Sequence, residues 1–436
     1  MQSSTQSSGV TGTSQPAHSP AILRAALLVL ILLHIGVCCL SLIKVADHQS
    51  YIPYDRQHLF AAVAMVAAFS VLSLLFVFSR FSFGYFVGFY LYTMVLGFLW
   101  LTRFTQLHYD TNLAAASAAA SAILFLLPAV LIQRPFRQVL VPSRQSFERL
   151  LAAILALTVA TILYASIYSF RLSSLAHIYE HRDEIQLPLV PRYLVGIVTN
   201  ALLPFAFATY LALRSYWKAA VALLLFPFFY PILLSKLTFF APAWILALAV
   251  VSRWLEARMI VISSLLAPIA LGVAVMVFRA DDHSLFYFNL VNIRMIATPS
   301  SALDFYNDFF AHHAHTLFCQ VSAIQLLTGC PYREPLAIVM QNTYHIGNLN
   351  ASLFATEGVA SVGPYLTPLV ALACGLIIAI GNCASANLPA RFVLMSGSII
   401  PQVLLNVPLT TTLVSHGAAL LFLLWYITPR TIFEQA

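Results

Sequence analysis

Long apolar runs separated by short polar segments cover most of the chain between residues 25 and 428. A membrane-spanning helix needs about 20 mostly apolar residues, and twelve runs approach that length. They are 25–43, 59–78, 83–101, 113–132, 150–170, 193–213, 218–235, 237–252, 259–278, 363–381, 391–408 and 410–428. Two joints, at Ser235-Lys236 and at Pro408, are so tight that the count ranges from eleven to thirteen. The pattern predicts an all-α polytopic membrane protein of about 12 transmembrane helices.

A polar N-terminal segment precedes the first apolar run. Residues 1–20 are rich in Ser, Thr, Gln and Gly and predict a disordered tail. The first apolar run is too long for the core of a signal peptide, so we interpret it as a retained span. Residues 21–436 are then expected to form a single transmembrane helical domain.

Composition supports this interpretation and excludes other classes. Of the 436 residues, 61% are hydrophobic and only 8% are charged, whereas about a quarter of a typical soluble domain is charged. These values exclude a soluble globular enzyme, a disordered chain and a nucleic-acid binder, so no nucleic-acid partner is expected.

The net charge of +7 is distributed unevenly between alternate loops. If the N-terminus lies inside, the inside segments hold twelve basic and three acidic residues, and the outside segments hold ten basic and twelve acidic residues. Because basic residues concentrate in cytoplasmic loops, this predicts that both termini are inside (N-in/C-in).

Two outside loops, about 171–192 and 279–362, hold most of the acidic residues. Long polar loops on a compact scaffold often carry function, so we expect these two to form the active face. The second loop, between spans 9 and 10, is expected to contain short amphipathic helices, one of which could lie along the outer membrane surface. Cys319 and Cys330 share this loop, where an oxidising compartment permits a disulfide.

Three cations on the outside are candidates for binding a phosphate group. Lys236 is isolated in apolar sequence, which favours function, although a lysine reaching the interface is an equal alternative. Tyr179 and Arg182 lie one helical turn apart in a charge-rich segment, which a solvated helix face also explains. Arg294 stands among apolar neighbours, and its guanidinium fork suits a phosphate, although an interfacial anchor would look the same.

Acidic and amide groups of the same loop are candidates for binding or deprotonating a hydroxyl group. Glu357 lies among small apolar residues, where either a base or a structural hydrogen-bonding carboxylate is plausible. His312 and His315 have the spacing of metal ligands, but nothing nearby completes a site, and no metal or cofactor is predicted.

The order of these features resembles the bacterial O-antigen polymerase family, the Wzy-type oligosaccharide repeat-unit polymerases. Tyr179 and Arg182 match a Val-Tyr-x-x-Arg segment, and Lys236 matches a lysine that follows a long apolar run. Arg294 with Pro299 and the aromatic run from Phe305-Tyr306 to Phe309-Phe310 resembles an Arg-x(4)-Pro and Tyr-rich segment. Asn348, Asn350, Phe354 and Glu357-Gly358 resemble an Asn-x-Asn-x(3)-Phe and Asp-Gly segment. The resemblance covers roughly residues 150–385, and neither the His312–His315 stretch nor the segment around Cys319–Cys330 has a counterpart in it.

The resemblance implies a glycosyltransferase that joins lipid-carrier-linked repeat units at the outer face of the bacterial cytoplasmic membrane. Undecaprenyl-pyrophosphate-linked oligosaccharide is then the substrate, membrane lipids are a further partner, and a chain-length regulator protein is a candidate partner. Arg182, Lys236 and Arg294 would stabilise the leaving pyrophosphate. Glu357, His345 and Asp308 are candidates for the base, and Tyr179, Tyr306 and Asn350 are candidates for binding the glycan.

Three alternatives stay open. An O-antigen ligase would use the same donor with a lipid A-core acceptor. A polyisoprenyl-phosphate-sugar transferase would use acidic residues of the first outside loop, where Asp47 and Asp55 lie. A multi-span transporter also suits an even number of spans, but it would place its charged residues within broken helices rather than in outside loops.

Overall fold

The computed structural model of the protein describes residues 20–172, 187–279, 282–321, 324–325 and 329–434. Helices make up nearly all of the regular structure, and the described residues contain no strand. Nine of the helices in these ranges are long and apolar enough to cross a membrane. The all-α, multi-pass character expected from the sequence is therefore confirmed, while the tail 1–19 lies outside the described residues.

The helices follow the predicted runs closely in the first half of the chain. They are α1 Pro20–Ala46, α2 Leu59–Phe78, α3 Phe83–Leu101, α4 Thr111–Leu131, α5 Arg144–Ser166, α6 Leu189–Ala212, α7 Tyr216–Leu233, α8 Lys236–Val251 and α9 Ala257–Arg279. Polar side chains set several of the boundaries. Ser82 accepts a hydrogen bond from the backbone N–H of Tyr85, and Asp110 accepts from those of Asn112 and Leu113, which satisfies donors that a helix start leaves free.

The second half begins with α10, a continuous helix over residues 282–312. It consists of Asp282–Phe288, a π-helical stretch Asn289–Ala297, and Thr298–His312. The remaining helices are α11 Leu336–Tyr344, α12 from Phe354 to Ser385, α13 Ala390–Ser396, α14 Ile400–Leu404, α15 Leu409–Val414, α16 Ala418–Ile427 and α17 Thr431–Glu434. Within α12 the backbone leaves the helical conformation at Gly363 (φ 75°, ψ 170°), which kinks the helix.

The predicted count of twelve spans is not confirmed, because three of the runs do not form long helices. Span 8 is α8, whose 16 residues extend about 24 Å, less than the roughly 30 Å of a bilayer core. Span 11 is divided into α13 and α14, and span 12 into α15 and α16. Gly397 and Ser398 separate the first pair, and Gly417, at φ 77°, separates the second.

Helix α3 forms the centre of the bundle, since all 19 of its residues are buried. It packs on α4 with the backbones in close approach. A Cβ added at Gly84 would lie 1.8 Å from the carbonyl oxygen of Ala129, so only glycine permits this contact. The neighbouring Asn382 of α12 accepts from Gly84 N–H at 2.6 Å and donates to Ala129 O at 2.6 Å, which ties α3, α4 and α12 together.

Helix α10 is buried against three spans instead of forming short amphipathic helices at the membrane surface. Asn292 donates to Ser41 Oγ of α1 and to the carbonyl oxygen of Ile269 of α9, both at 2.9 Å. Ser300 donates to Met94 O of α3 at 2.9 Å. The aromatic residues that looked amphipathic in sequence face other helices, because nearly every side chain from Pro299 to Phe310 is buried.

The loops gather at two ends of the bundle. At one end, which we call the acidic end, loops 47–58 and 102–110 meet the C-terminal part of α10, with the rings of Tyr54 and Phe104 5.3 Å apart. At the other, the basic end, loop 132–143 meets the end of α12 through a hydrogen bond from Phe136 N to Cys383 O at 3.1 Å. These groups match the predicted outside and inside loops, while the N-in/C-in orientation stays a prediction.

Cys319 and Cys330 form a disulfide in the loop after α10, with their Cα atoms 5.2 Å apart. A disulfide indicates an oxidising compartment, which agrees with an outside position of this loop.

Replacing both cysteines of this disulfide by serine is expected to lower the free energy of unfolding by about 3 kcal/mol, the entropic value for a loop of this length. Thermal unfolding of the purified protein with and without reductant measures the change. The double variant should not respond to reductant. An unchanged midpoint for native protein whose two thiols have both become reactive would contradict the expectation.

Candidate functional site

Two aspartates one helical turn apart on α10 form a carboxylate pair at the acidic end. Asp304 Oδ2 accepts from Thr105 Oγ1 at 2.9 Å, and Asp304 Oδ1 accepts a short hydrogen bond from the Tyr109 hydroxyl. Both donors come from loop 102–110, which joins α3 to α4. The i,i+4 spacing places Asp308 on the same helix face as Asp304.

Asp308 is held by two donors from different segments of the chain. Its Oδ1 accepts from the backbone N–H of His108 at 2.7 Å, and its Oδ2 accepts from the Tyr344 hydroxyl at 2.5 Å. Asp304 is 5% exposed, whereas Asp308 is only partly buried. Asp308 is therefore the carboxylate of the pair that a substrate hydroxyl can approach.

Burial raises the pKa of several groups in this cluster. Loss of hydration raises the pKa of Asp304 to about 6, with the negative charge of Asp308 adding to the rise, although the hydrogen bonds from Tyr109 and Thr105 oppose it. Burial also raises the pKa of Tyr109 and Tyr344, and the adjacent carboxylates raise both further. Both tyrosines thus keep their protons and act as hydrogen-bond donors at neutral pH.

The raised pKa of Asp304 predicts a pH dependence of stability. Between its ordinary pKa near 3.8 and about 6, the folded state binds this proton more tightly than the unfolded state. The free energy of unfolding should therefore fall as pH rises through that window, by about 3 kcal/mol at most. Asp304→Asn removes the titrating group, so thermal unfolding from about pH 4 to pH 7 should show a smaller decline for this variant. An identical decline in both proteins would disprove the assignment.

Aromatic rings connect the carboxylate pair to Arg294. The ring centroids of Phe305 and Tyr344 are 4.8 Å apart, and those of Phe305 and Tyr51 are 6.4 Å apart. Burial raises the pKa of Tyr51, and the positive charge of Arg294 opposes this rise. Arg294 itself is exposed. The acidic end thus presents a cation and a carboxylate pair on one helix, with aromatic surface between them.

Lys236 lies beside α10, near the start of that helix. It begins α8, and its Nζ lies 5.8 Å from the centre of the Phe286 ring of α10. A helix rises about 1.5 Å per residue, so Phe286 and Asp308 lie roughly 30 Å apart along α10. The structure therefore spreads Lys236, Arg294 and Asp308 along α10 and does not gather them at one point.

Glu357 occupies a different environment, inside the bundle. It lies on the π-helical stretch Phe354–Val359 at the start of α12 and is 2% exposed. Its Oε1 accepts from both the backbone N–H and the hydroxyl of Thr410 at 2.8 Å, while Oε2 has no hydrogen-bond partner among the described residues. The carboxylate thus satisfies a donor at the first turn of α15, which follows Pro408.

Tyr306 shows that α10 separates Glu357 from the carboxylate pair. Its buried hydroxyl is hydrogen-bonded to Thr356, the neighbour of Glu357. Tyr306 is two positions from both Asp304 and Asp308, and two positions turn a helix by about 200°. The two carboxylates predicted as candidate bases therefore lie on opposite sides of α10.

The other predicted site residues lie at the edge of this arrangement or outside it. His345 and Asn350 are exposed, and His345 ends α11 in a left-handed conformation directly after Tyr344. Tyr179 and Arg182 lie outside the described residues.

Sequence reasoning missed Asp304, Thr105 and Tyr109 as site residues. The only local signal was the i,i+4 spacing of two aspartates in an aromatic run. The partners of Asp304 lie 199 and 195 positions away in the chain, so a single sequence does not reveal them.

The histidine stretch does not complete a metal site, since the described residues contain no group of three His, Cys, Asp or Glu side chains placed to hold an ion. His312 and His313 instead pair through Nδ1 with the carbonyl oxygens of Asp308 and Phe309.

Comparison of the chain with protein-family models, with curated proteins and with solved structures finds no match.

Proposed function

We propose that the protein is a membrane glycosyltransferase that polymerises lipid-carrier-linked oligosaccharide repeat units for a surface polysaccharide of a bacterial cell envelope. The observation that carries the proposal is the Asp304–Asp308 pair at the acidic end, with the exposed Arg294 on the same helix. Glycosyl transfer at the membrane boundary needs a carboxylate that accepts the proton of the attacking hydroxyl and a cation that stabilises the anionic leaving group.

In the proposed reaction, the oxygen of a sugar hydroxyl attacks the anomeric carbon of the donor. The bond from that carbon to the pyrophosphate oxygen breaks, and undecaprenyl pyrophosphate leaves with the electron pair. Asp308 accepts the hydroxyl proton. Tyr344 and the His108 N–H hold the Asp308 carboxylate in place, and Asp304 stays beside it as a positioning residue.

The cations have separate roles in this proposal. In this proposal the exposed guanidinium fork of Arg294 binds the pyrophosphate. Arg182 belongs to the same proposal as a further pyrophosphate contact. Lys236 lies beside Phe286, roughly 30 Å along α10 from Asp308, so within this proposal it contacts the lipid carrier away from the reacting carbon. Because pyrophosphate is already a good leaving group, a strong base is not required, and the proposal needs no cofactor.

Surface glycan from a strain lacking the gene, with and without the gene restored, tests the proposal on a gel. A ladder that collapses to one repeat unit on lipid A-core supports a polymerase. Core without any repeat units, with polymer left on the lipid carrier, would instead identify a ligase. An unchanged glycan pattern would contradict both.

Arg294→Ala and Lys236→Ala are each expected to abolish polymerisation while the protein stays in the membrane, and Arg182→Ala is expected to do the same. Removing one charge-assisted contact to the leaving group weakens the transition state by several kcal/mol. Arg253→Gln, which removes an exposed charge at the basic end, is the control and should leave the ladder intact. Full ladders in all three alanine variants would refute the pyrophosphate role.

A transporter is the second candidate, and Glu357 is the observation that favours it. Its buried carboxylate faces the interrupted segment formed by α14 and α15, and broken helices with buried charges are typical of transport sites. Complete repeat units that accumulate on the carrier inside the cell, without any loss of polymerising activity in membranes, would support this function.

A further inference from the structure

A pocket of about 290 Å³ opens at the basic end, far from the carboxylate pair. It lies between the start of α3, the segment after α4 and the end of α12. Its polar lining residues are Arg80, Ser82, Gln133, Asn382 and Ser385. Because α3 has 19 residues, about 28 Å separates this pocket from loop 102–110.

Arg80 gives the pocket its charge. Its side chain is exposed and forms no ion pair with any described residue. The neighbouring Arg258 differs, because it is paired with Glu256 at 2.9 Å and donates to the carbonyl oxygen of Ser79 at 2.9 Å. No acidic residue lines the pocket. Arg80 therefore supplies a positive charge that no acidic side chain among the described residues neutralises.

The segment 132–143, which we call the strap, extends from this pocket along the basic end. The Gln133 amide donates to the carbonyl oxygen of Arg80 at 3.3 Å, and Gln138 donates to that of Tyr426 at 2.6 Å. Between these anchors and α5, Val139 and Leu140 are 76% and 70% exposed. This apolar surface lies next to an arginine that has no ion pair with a described residue, at the level where the spans end. The combination matches the boundary between acyl chains and headgroups.

We propose that this pocket binds the phosphate headgroup of an anionic phospholipid, with the strap inserted beside it. The Arg80 guanidinium binds the phosphodiester oxygens, and the Ser82 hydroxyl, whose oxygen accepts from Tyr85 N, donates a hydrogen bond to the headgroup. Val139 and Leu140 contact the acyl chains. The lipid thereby links α3, α4 and α12 at the end opposite the carboxylate pair.

Native mass spectrometry of the full-length protein tests this site, with phosphatidylglycerol, phosphatidylcholine and inorganic phosphate as probes. We expect the delipidated protein to bind one added phosphatidylglycerol molecule in preference to phosphatidylcholine. Arg80→Gln should weaken this binding about fivefold, the contribution of one basic residue at a membrane surface. Arg253→Gln removes an exposed charge from the same end outside the pocket and should leave binding unchanged.

Two results would overturn the proposal. Equal weakening in Arg80→Gln and Arg253→Gln would indicate general surface attraction instead of a site. Binding of inorganic phosphate as tight as that of phosphatidylglycerol would assign the pocket to a free anion. Arg80 is exposed, so its replacement is not expected to prevent folding, and a monodisperse elution profile of both variants establishes this.

Discussion

Replacing Glu357 by alanine is expected to destabilise the protein by about 4 kcal/mol. The carboxylate is buried and accepts two hydrogen bonds from Thr410. Its removal leaves the two partly buried donors of Thr410 without this acceptor, and it also opens a cavity where the buried carboxylate was. Thermal unfolding of the detergent-solubilised variant, followed by size-exclusion chromatography, measures the loss.

Glu357→Gln is the matched control for this prediction. Its amide oxygen can still accept from Thr410, so the variant should remain folded and unfold close to the native temperature. Its activity then separates two roles. Retained polymerisation identifies Glu357 as a residue that stabilises α15, and a folded but inactive variant would make it the base. An alanine variant as stable as the native protein would refute the structural role.

The largest expected effect on activity comes from Asp308→Asn. Loss of a general base reduces a reaction of this kind by a factor of about 100 to 10,000. Asparagine keeps the shape of the side chain and can accept from His108 N–H, so the loss should occur without loss of the fold. Repeat-unit polymerisation in isolated membranes, scaled to the amount of protein present, is the measurement.

Asp304→Asn distinguishes the two carboxylates in the same assay. Asp304 is buried and already engaged by Thr105 and Tyr109, so its replacement should reduce activity much less than that of Asp308. The opposite order would transfer the role of base to Asp304. Equal and complete activity in both variants would remove the carboxylate pair from the proposed mechanism.

The spans could be predicted wherever hydrophobic length and local capping agree. The run 83–101 became Phe83–Leu101 without change because Ser82 caps it. The breaks in the last quarter were hidden, because apolar residues continue through Gly397 and Gly417 while the backbone does not remain helical. Hydropathy measures the preference of side chains for lipid, but it does not report where a helix is interrupted.

The candidate site could be predicted only in part, for a related reason. Asp308 stood out by its charge in an aromatic run, but its connection to Tyr344 and His108 depends on tertiary packing. The burial of α10 was also not predictable, since a helix that packs between other helices and one that lies at a membrane surface can share the same amphipathic pattern. Only the contacts of Asn292 and Ser300 distinguish the two.

The complete burial of α3 has a consequence for how the protein is made. During synthesis each segment first meets lipid, and α3 is among the least hydrophobic of the nine long helices, with a mean hydropathy of 1.5. Tyr85, Tyr90 and Tyr92 all depend on neighbouring helices for their final surroundings. α4 and α12 are translated after α3. More than half of the remaining chain must therefore be synthesised before all the helices that pack around α3 are present. A chain truncated before α12 should therefore leave α3 without its packing partners, so that the truncated protein is degraded.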